Sequence, residues 1–335
     1  VPDLDVRLGD RDRRVRHALT RVRLPVNGAG SAHDDRRTEV VGTFEVLAAA
    51  SLWGTSGLFS VWLFRAGVSP FDVALFRPLV AAVALAVWAV LRQRSALWPG
   101  RDLAVLWLVG GGVTAVFQIG YQSSTEAVGV PATVGMLYLA PLLVMAAGVP
   151  LLGERPARRQ VGFGLLAVAG VWAVVAGARG ADVVLSGRGI AWGMVTAGGY
   201  AGYTIFGRWA AERWSPLTTV LHSQVGATVV LAVVVPLVWG PVRWPAEPNS
   251  AALLAAYGVL TVALAVLLFY DALRRIPAAR ASVTATIEPV VAAGLAAAIL
   301  GQTLTGWGWA GLVLVVVGVA GASGLRRREA PSLSL

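Results

Sequence analysis

A single carboxylate inside an apolar run is the residue of this chain best placed to do chemistry. Glu288 lies within ASVTATIEPVVAAGLAAAILGQ, residues 281–302, and Pro289 follows it directly. At about 1.5 Å of rise per helical residue, Glu288 is on the order of 12 Å along the helix from Arg280. That places it well inside a hydrocarbon layer about 30 Å thick. A charge is costly at this depth, so we expect Glu288 to face protein or a wet cavity as a substrate or proton site.

Three roles are open to Glu288. It can hold a proton and release it when the cavity opens to the other side, which is the chemistry of a proton-coupling group. It can instead bind a substrate amine directly. It can also hydrogen-bond within the bundle, for example to backbone groups that Pro289 frees. The sequence favours coupling and substrate binding equally, ahead of packing.

Further polar side chains inside apolar runs are candidates for the same site. They can supply the few polar groups of an otherwise apolar pocket, and a buried tyrosine needs a hydrogen-bond partner. Tyr257 and Tyr270 lie near opposite ends of one run, where we expect interfacial anchoring. The candidates for substrate binding are Tyr138, Tyr200, Tyr203, Gln118 and Gln122.

Two basic side chains leave alternatives open. Arg77 lies five residues after Asp72, so it either extends its charge to the membrane surface or binds substrate. His222 stands beside Ser223 and Gln224, and it is either a hydrogen-bonded packing residue or part of a proton relay together with Glu288.

The elements that position these residues are membrane helices. The chain has 335 residues, of which 56% are hydrophobic and 14% charged, whereas soluble domains carry about 25% charge. It has no cysteine, which excludes disulfides and thiolate metal sites; we expect no metal and no cofactor. Ten apolar runs of membrane length predict an all-α integral membrane protein of ten transmembrane helices. The runs cover approximately residues 43–63, 71–91, 102–123, 131–152, 159–178, 189–208, 216–239, 251–271, 279–300 and 306–324.

The second half of the chain repeats the first. Residues 141–154, PLLVMAAGVPLLGE, align with residues 289–302, PVVAAGLAAAILGQ, at a constant offset of 148. Pro141 and Pro289 are shared, which predicts a structural kink in each half, whereas Glu288 has Ala140 as its counterpart. The repeat predicts four segments: an arm at 1–42, repeats at 43–178 and 189–324, and a tail at 325–335.

Small residues also recur in equivalent places. Gly170 and Gly318 stand at matching positions of the two halves, each seven residues from a further glycine, Gly177 or Gly311. Such glycines allow close helix approach. The sequence leaves open whether they serve the bundle or a homodimer.

The arginines orient the spans. With the amino terminus inside, fourteen arginines fall in inside loops and the carboxyl tail and four in outside loops, before the nine in the arm are counted. This bias predicts a cytoplasmic-membrane protein with both termini cytoplasmic. Five spans per half then make the two halves inverted repeats, as in secondary transporters. We expect the arm to be disordered and to lie near lipid rather than bind nucleic acid, because it has no aromatic residue to stack on bases.

These features resemble the EamA-like transporters of the drug/metabolite transporter superfamily over roughly residues 43–324. The motifs that carry the resemblance are Trp53-Gly54, Ser69-Pro70 with Arg77, Gly153-Glu154-Arg155, residues 276–282 (IPAARAS), Glu288-Pro289 and Gly301. Gln302 departs from the family, which usually repeats Gly-Glu there. The resemblance implies transport of small metabolites, often amino acids or drugs and commonly outward.

Other function classes are weaker. A membrane enzyme needs paired carboxylates or a histidine cluster, and neither is present. An ATP-driven pump needs a phosphate loop with lysine, and the chain has no lysine. We therefore predict a secondary active transporter, an exporter of small metabolites or drugs that works by alternating access and is not an enzyme. A channel or a non-transporting receptor is the alternative.

Overall fold

The chain folds into helices. In the computed structural model, residues 28–177, 186–300 and 305–323 are described, and all regular structure within these ranges is helical. Residues 1–27, residues 178–185, the whole predicted tail at 325–335 and Gln302 lie outside them. The helices are α1 (Gly28–Gly54), α2 (Ser56–Arg65), α3 (Pro70–Arg92), α4 (Gly112–Leu137), α5 (Ala140–Leu152), α6 (Arg158–Gly177), α7 (Gly187–Ala210), α8 (Pro216–Trp239), α9 (Pro248–Tyr257), α10 (Ala265–Ala272), α11 (Ala278–Ala285), α12 (Glu288–Leu300) and α13 (Gly306–Ser323).

Short helical stretches complete this path. Arg94–Leu97, Gly100–Asp102, Leu103–Val105 and the π-helical Leu106–Gly111 lead into α4, and a second π-helix, Gly258–Leu264, joins α9 to α10. Because α1 begins at Gly28, residues 28–42 of the arm are helical, and our expectation of disorder is wrong for them. The described part of Glu39–Leu335 forms one compact unit, to which the packing below belongs.

Seven helical segments among the described residues are long and apolar enough to cross a membrane. They are Arg37–Arg65, Pro70–Arg92, Gly100–Thr125, Ala132–Leu152, Arg158–Gly177, Pro216–Trp239 and Pro248–Ala272. The other three predicted spans are also helical, but differ in kind. Helix α7 carries seven glycines, the run at 279–300 is divided into α11 and α12, and the apolar part of α13, Gly306–Ala322, is shorter.

Serine–proline pairs begin the matching helices α3 and α8. The Ser69 hydroxyl accepts a hydrogen bond from the Phe71 amide, and the Ser215 hydroxyl accepts one from the Thr218 amide. A serine cap satisfies a free amide at a helix start, and proline has no amide to leave unpaired. These pairs therefore fix where α3 begins, and α3 carries Arg77.

Each half contains a helix break just before the proline that the two repeats share. Residues 138–139 separate α4 from α5, and residues 286–287 separate α11 from α12, with Pro141 and Pro289 in the first turn of the new helix. Proline is tolerated there because its missing amide has no helical partner in the first turn. The break places Glu288 at the amino-terminal end of α12, where the helix dipole favours a negative charge.

Helices α6 and α13 pack backbone to backbone through their glycines. A methyl group on Gly170 would lie 2.7 Å from the Val315 nitrogen, and one on Gly318 would lie 2.7 Å from the Ala167 nitrogen. Only glycine permits this approach. The glycines therefore serve contacts within the chain.

The chain reverses within α4. The Thr133 hydroxyl donates to the Ser124 hydroxyl at 2.8 Å, although nine residues of straight helix would separate them by about 13 Å. The helix therefore bends back on itself between these residues, which divides the predicted spans at 102–123 and 131–152.

Candidate functional site

A cavity lies at the centre of the helices and contains two charged side chains, Arg77 and Glu288. The free volume between its walls is about 80 Å³, well below the roughly 300–1,000 Å³ of pockets for drug-sized ligands. In this conformation the cavity has room for a few waters. The walls come from the helical segments that carry Trp53, Arg77, Gln118, Tyr200, Gln224, Tyr257, Thr261, Tyr270 and Glu288.

Glu288 enters the cavity from the first turn of α12. Its carboxylate interacts electrostatically with the Arg77 guanidinium and the Tyr138 hydroxyl, but the Tyr138 hydroxyl completes no well-oriented hydrogen bond. Among the described residues, Glu288 forms no salt bridge within 4 Å. A carboxylate held at a helix amino terminus and open to a cavity can take up a proton or a cationic group.

Arg77 is held in place by one hydrogen bond and one aromatic ring. Its Nη2 donates to the Thr261 hydroxyl at 3.2 Å, and its guanidinium lies 4.1 Å from the centre of the Tyr257 ring. Only 8% of the residue is exposed, so it does not extend to the membrane surface, the alternative that the sequence left open. Its Nε has no hydrogen-bond partner in the described structure.

The π-helical turn Gly258–Leu264 supplies the other side of this arrangement. The Thr261 hydroxyl accepts from Arg77, and its carbonyl accepts from Trp53 Nε1 at 2.8 Å. Extra-wide turns of this kind recur at functional sites because they displace backbone groups from the regular helical pattern. Thr261 therefore ties Arg77 on α3 and Trp53 on α1 to the second half of the chain.

Aromatic rings form most of the wall. Tyr200 and Tyr203 meet edge to face with ring centres 4.8 Å apart, and the Tyr270 hydroxyl donates to the Tyr203 carbonyl at 3.0 Å. The Tyr257 hydroxyl lies 3.0 Å from the Ser60 hydroxyl, within hydrogen-bond distance. Tyr257 and Tyr270 are both buried, so their predicted role as interfacial anchors is wrong.

Besides Arg77 Nε, three polar atoms on the cavity residues lack hydrogen-bond partners in the described structure. They are the side-chain carbonyl oxygens of Gln118 and Gln224 and the hydroxyl of Tyr200. Buried polar groups are normally paired, so each unpaired one needs an explanation. A bound polar molecule or water inside the cavity is the simplest.

The structure gathers only part of the predicted site. Gln118, Tyr200, Tyr203 and Glu288 line the cavity together. Tyr138 lies beside Glu288 at the helix break but is not part of the wall. Gln122 is buried one turn beyond Gln118 and likewise is not among the wall residues.

His222 is engaged elsewhere. Its Nδ1 accepts a hydrogen bond from Trp107 Nε1 at 3.1 Å, so the ring proton lies on Nε2. Nε2 then donates to the Ala96 carbonyl, 3.1 Å away. Both ring nitrogens therefore hold structural partners, and His222 is not among the residues that line the cavity. This geometry matches the packing alternative.

A layer of ion pairs closes the end of the bundle near Tyr270. Arg208 Nε donates to Glu154 at 2.7 Å, and Glu154 also accepts from the Ala278 amide at 3.0 Å. Arg275 pairs with Glu45 at 3.0 Å, and Arg280 pairs with Glu39 at 3.0 Å. We call this layer the ion-pair end; every pair is anchored on or beside the segment 271–280.

The opposite end carries a groove. It lies between residues 66–72, which precede and begin α3, and residues 235–250, and its volume is about 610 Å³. The Asp72 carboxylate accepts from the Arg243 amide at 3.3 Å there. One end of the bundle is thus tied by ion pairs, and the other is indented.

Comparison with known proteins identifies the chain. The model of the EamA-like transporter family matches twice, at residues 41–176 and 187–324. The chain belongs to the EamA-like transporter family. The two matches mean that this EamA-like chain carries the family domain twice, once in each half, and that Arg77 and Glu288 belong to different copies.

Relatives of this EamA-like protein bear transporter names. It is 26% identical over 290 residues to the uncharacterized transporter YwfM of Bacillus subtilis (strain 168), covering 85% of this chain and 94% of the relative. It is 25% identical over 274 residues to the uncharacterized transporter YxxF of the same organism, covering 80% and 85%. A crystal structure described only as that of a protein shares the fold at a TM-score of 0.73 and 21% identity, covering 84% and 96%. The chain is therefore a multi-pass membrane transporter of EamA type.

Sequence reasoning missed several wall residues. Tyr257, Thr261 and Gln224 come to the cavity only through the packing of α8, α9 and the π-helical turn. Arg77 gave a partial signal, since an arginine within an apolar run needs a partner.

Proposed function

We propose that this protein is a secondary active transporter that exports small metabolites or drugs across the cytoplasmic membrane by alternating access. The observation that carries the proposal is Glu288, a carboxylate at a helix break inside a cavity shared by the two family domains. Broken helices of this kind form the substrate and ion sites of transporters built from repeats. In this proposal Glu288 binds the coupling proton or a cationic substrate group.

The same proposal includes the ten-helix topology with inverted repeats at 43–178 and 189–324, and both termini in the cytoplasm. The arginine distribution supports it. Single cysteines at Ser95 and Ser186 test it, because they should react with a membrane-impermeant thiol reagent from the inside and the outside respectively. Reaction of both from one face would contradict the topology.

Alternating access also needs an end that opens and closes. The ion-pair end joins α1, α7 and the end of α5 to the segment directly after Tyr270. Breaking these pairs would open the cavity toward the face where most loop arginines lie. The groove at the other end supports a conformation that opens the opposite way. Partly buried pairs suit such an element, since their net contribution to stability is small.

A reporter cysteine tests the proposal without knowledge of the substrate. Ser56 lines the cavity, and the chain has no other cysteine. In Ser56→Cys, a small impermeant thiol reagent should label the cavity from either face of oriented membrane vesicles, in each case slowly. Labelling from one face alone under all conditions would contradict alternating access. A channel, the alternative, would show fast labelling from both faces and flux that never saturates.

A further inference from the structure

One connecting segment in each half carries the same tryptophan–proline pair. Trp98-Pro99 and Trp244-Pro245 stand 146 residues apart, the offset that also relates the two serine–proline pairs. The first pair lies in residues 93–100, which follow α3, and the second in residues 240–247, which follow α8. We call these segments the first and the second connection. They are equivalent elements of the repeat.

Each connection packs against the long helix of the other copy of the family domain. The first connection meets the start of α8, where the Gln93 side chain donates to the Ser215 hydroxyl at 3.1 Å. The second connection meets the first turn of α3, where the Arg243 amide donates to the Asp72 carboxylate at 3.3 Å. The contacts are reciprocal, and both cross between the copies.

The two connections are held by different kinds of contact. Phe76 and His222 occupy equivalent positions, again 146 residues apart. His222 binds the first connection through a hydrogen bond of 3.1 Å to the Ala96 carbonyl, whereas Phe76 meets the Trp244 ring edge to face, with ring centres 4.8 Å apart. A hydrogen bond fixes direction, but a ring contact tolerates sliding. Because Trp244 is also 46% exposed, the second connection detaches more easily.

The groove lies in line with the central cavity along α3. Asp72 lines the groove and Arg77 lines the cavity, and five residues of helix span about 7.5 Å. The apolar layer between them is a buried cluster that includes Phe71 from the groove wall and Tyr257 from the cavity wall. Phe76, which the second connection contacts, belongs to this cluster. A route from the cavity to the groove end therefore passes beneath the second connection.

The backbone of the second connection suits a segment that moves as a unit. Gly240 ends α8 with a φ of 93°, a conformation that glycine adopts without strain. Pro241 and Pro245 fix φ within the segment, and Pro248 begins α9. The freedom of the chain is therefore concentrated at Gly240.

We propose that the second connection is a lid on the groove end of the bundle, which opens when Trp244 leaves Phe76 and Arg243 leaves Asp72. The first connection is its fixed counterpart. This inference rests on the proposed transport function, and it names the element that closes the groove end while the ion pairs close the other end.

Labelling of the Ser56→Cys reporter tests the lid in the full-length protein, in oriented membrane vesicles. Trp244→Ala should raise the labelling rate from the face at the groove end by about two- to tenfold, the effect of losing one aromatic pair. Trp98→Ala, at the equivalent position of the first connection and 85% exposed, is the matched control and should leave that rate unchanged. Because both tryptophans are exposed, neither change endangers folding.

A double-mutant cycle assigns the effect to the ring contact. Phe76→Leu removes the other ring and should raise the same rate. Because residues that act through one contact are not additive, the double variant with Trp244→Ala should be labelled no faster than the faster single variant. A rate equal to the product of the two single effects would mean that the rings act independently, and would overturn the lid.

The outcomes separate the lid from the transport function. An unchanged rate in Trp244→Ala, or an equal rise in Trp98→Ala, would overturn the lid, whereas labelling of Ser56→Cys from both faces would leave alternating access standing. Labelling from the groove end alone would overturn the transport cycle, and the comparison of Trp244→Ala with Trp98→Ala would still decide the lid. Labelling from the ion-pair end alone in every variant would overturn both.

Discussion

Arg77 and Glu288 line one cavity from different copies of the family domain without forming a salt bridge. Each is held by its own surroundings: Arg77 by Thr261 and Tyr257, and Glu288 by the first turn of α12. A movement of one domain copy against the other would change the distance between these charges. In the proposed transport cycle, such a movement would couple the charge state of the cavity to the arrangement of the two halves.

The hydroxyls of two cavity tyrosines should differ in their effect on stability. The Tyr270 hydroxyl donates to Tyr203, whereas that of Tyr200 is unpaired. Tyr270→Phe should therefore cost about 1 kcal/mol of stability, and Tyr200→Phe should be neutral or stabilising. Thermal unfolding in detergent measures the stability of both variants. An equal loss of stability in the two would contradict the view that the Tyr200 hydroxyl has no partner within the protein and is free to bind a ligand.

Glycine should be required at position 170 of α6, where the helix meets α13. Gly170→Val places a side chain against the Val315 backbone and the Gly311 carbonyl, and overpacking of this kind costs about 1–3 kcal/mol or more. Gly162→Val on the same helix is the control, because nothing lies within 4 Å of its added methyl group. We expect a lower unfolding temperature for Gly170→Val alone. A similar loss in the control would mean that helix propensity, not close packing, decides.

The ion-pair end should resist opening. Glu154 holds both Arg208 and the Ala278 amide, so Glu154→Gln removes a charge from two contacts at once. In the Ser56→Cys background, labelling from the face at the ion-pair end should rise by up to about fivefold, since a partly exposed ion pair contributes about 1 kcal/mol or less. Asp102→Asn, an exposed acid that accepts from Trp214, is the control. If labelling is unchanged in Glu154→Gln, the ion pairs do not control opening of this end.

Much of this architecture could be predicted from local patterns. The apolar runs, the Ser-Pro starts at Ser69 and Ser215, and the depth of Glu288 all depend on residues close in sequence. The cavity wall depends on contacts between distant segments, such as Trp53 with Thr261 and Arg77 with Tyr257. Tyr257 and Tyr270 lie near the ends of an apolar run, which is where anchors occur, and only the packing of α9 and α10 shows that they point inward.

His222 illustrates the same limit. A histidine in an apolar run predicts either packing or proton transfer, and the sequence cannot show that Trp107 and Ala96 occupy its two nitrogens. Conversely, the sequence predicts a kink at Pro289. It does not show that Glu288 lies in the same cavity as Arg77.

The most direct test of the account is whether protonation of Glu288 biases which face the cavity opens to. The ionisable side chains that interact with it in the described structure are Arg77, Tyr121, Tyr138, Tyr200 and Tyr203, and the proposed function assigns the coupling proton to Glu288. The measurement is the ratio of Ser56→Cys labelling rates at the two faces between pH 5.5 and 8.5, a ratio in which the reactivity of the thiol itself cancels. The account predicts a change of about fivefold or more, the lower range of coupling between sites, and a flat ratio in Glu288→Gln. A flat ratio with Glu288 present, or an equal change in Glu288→Gln, would contradict it.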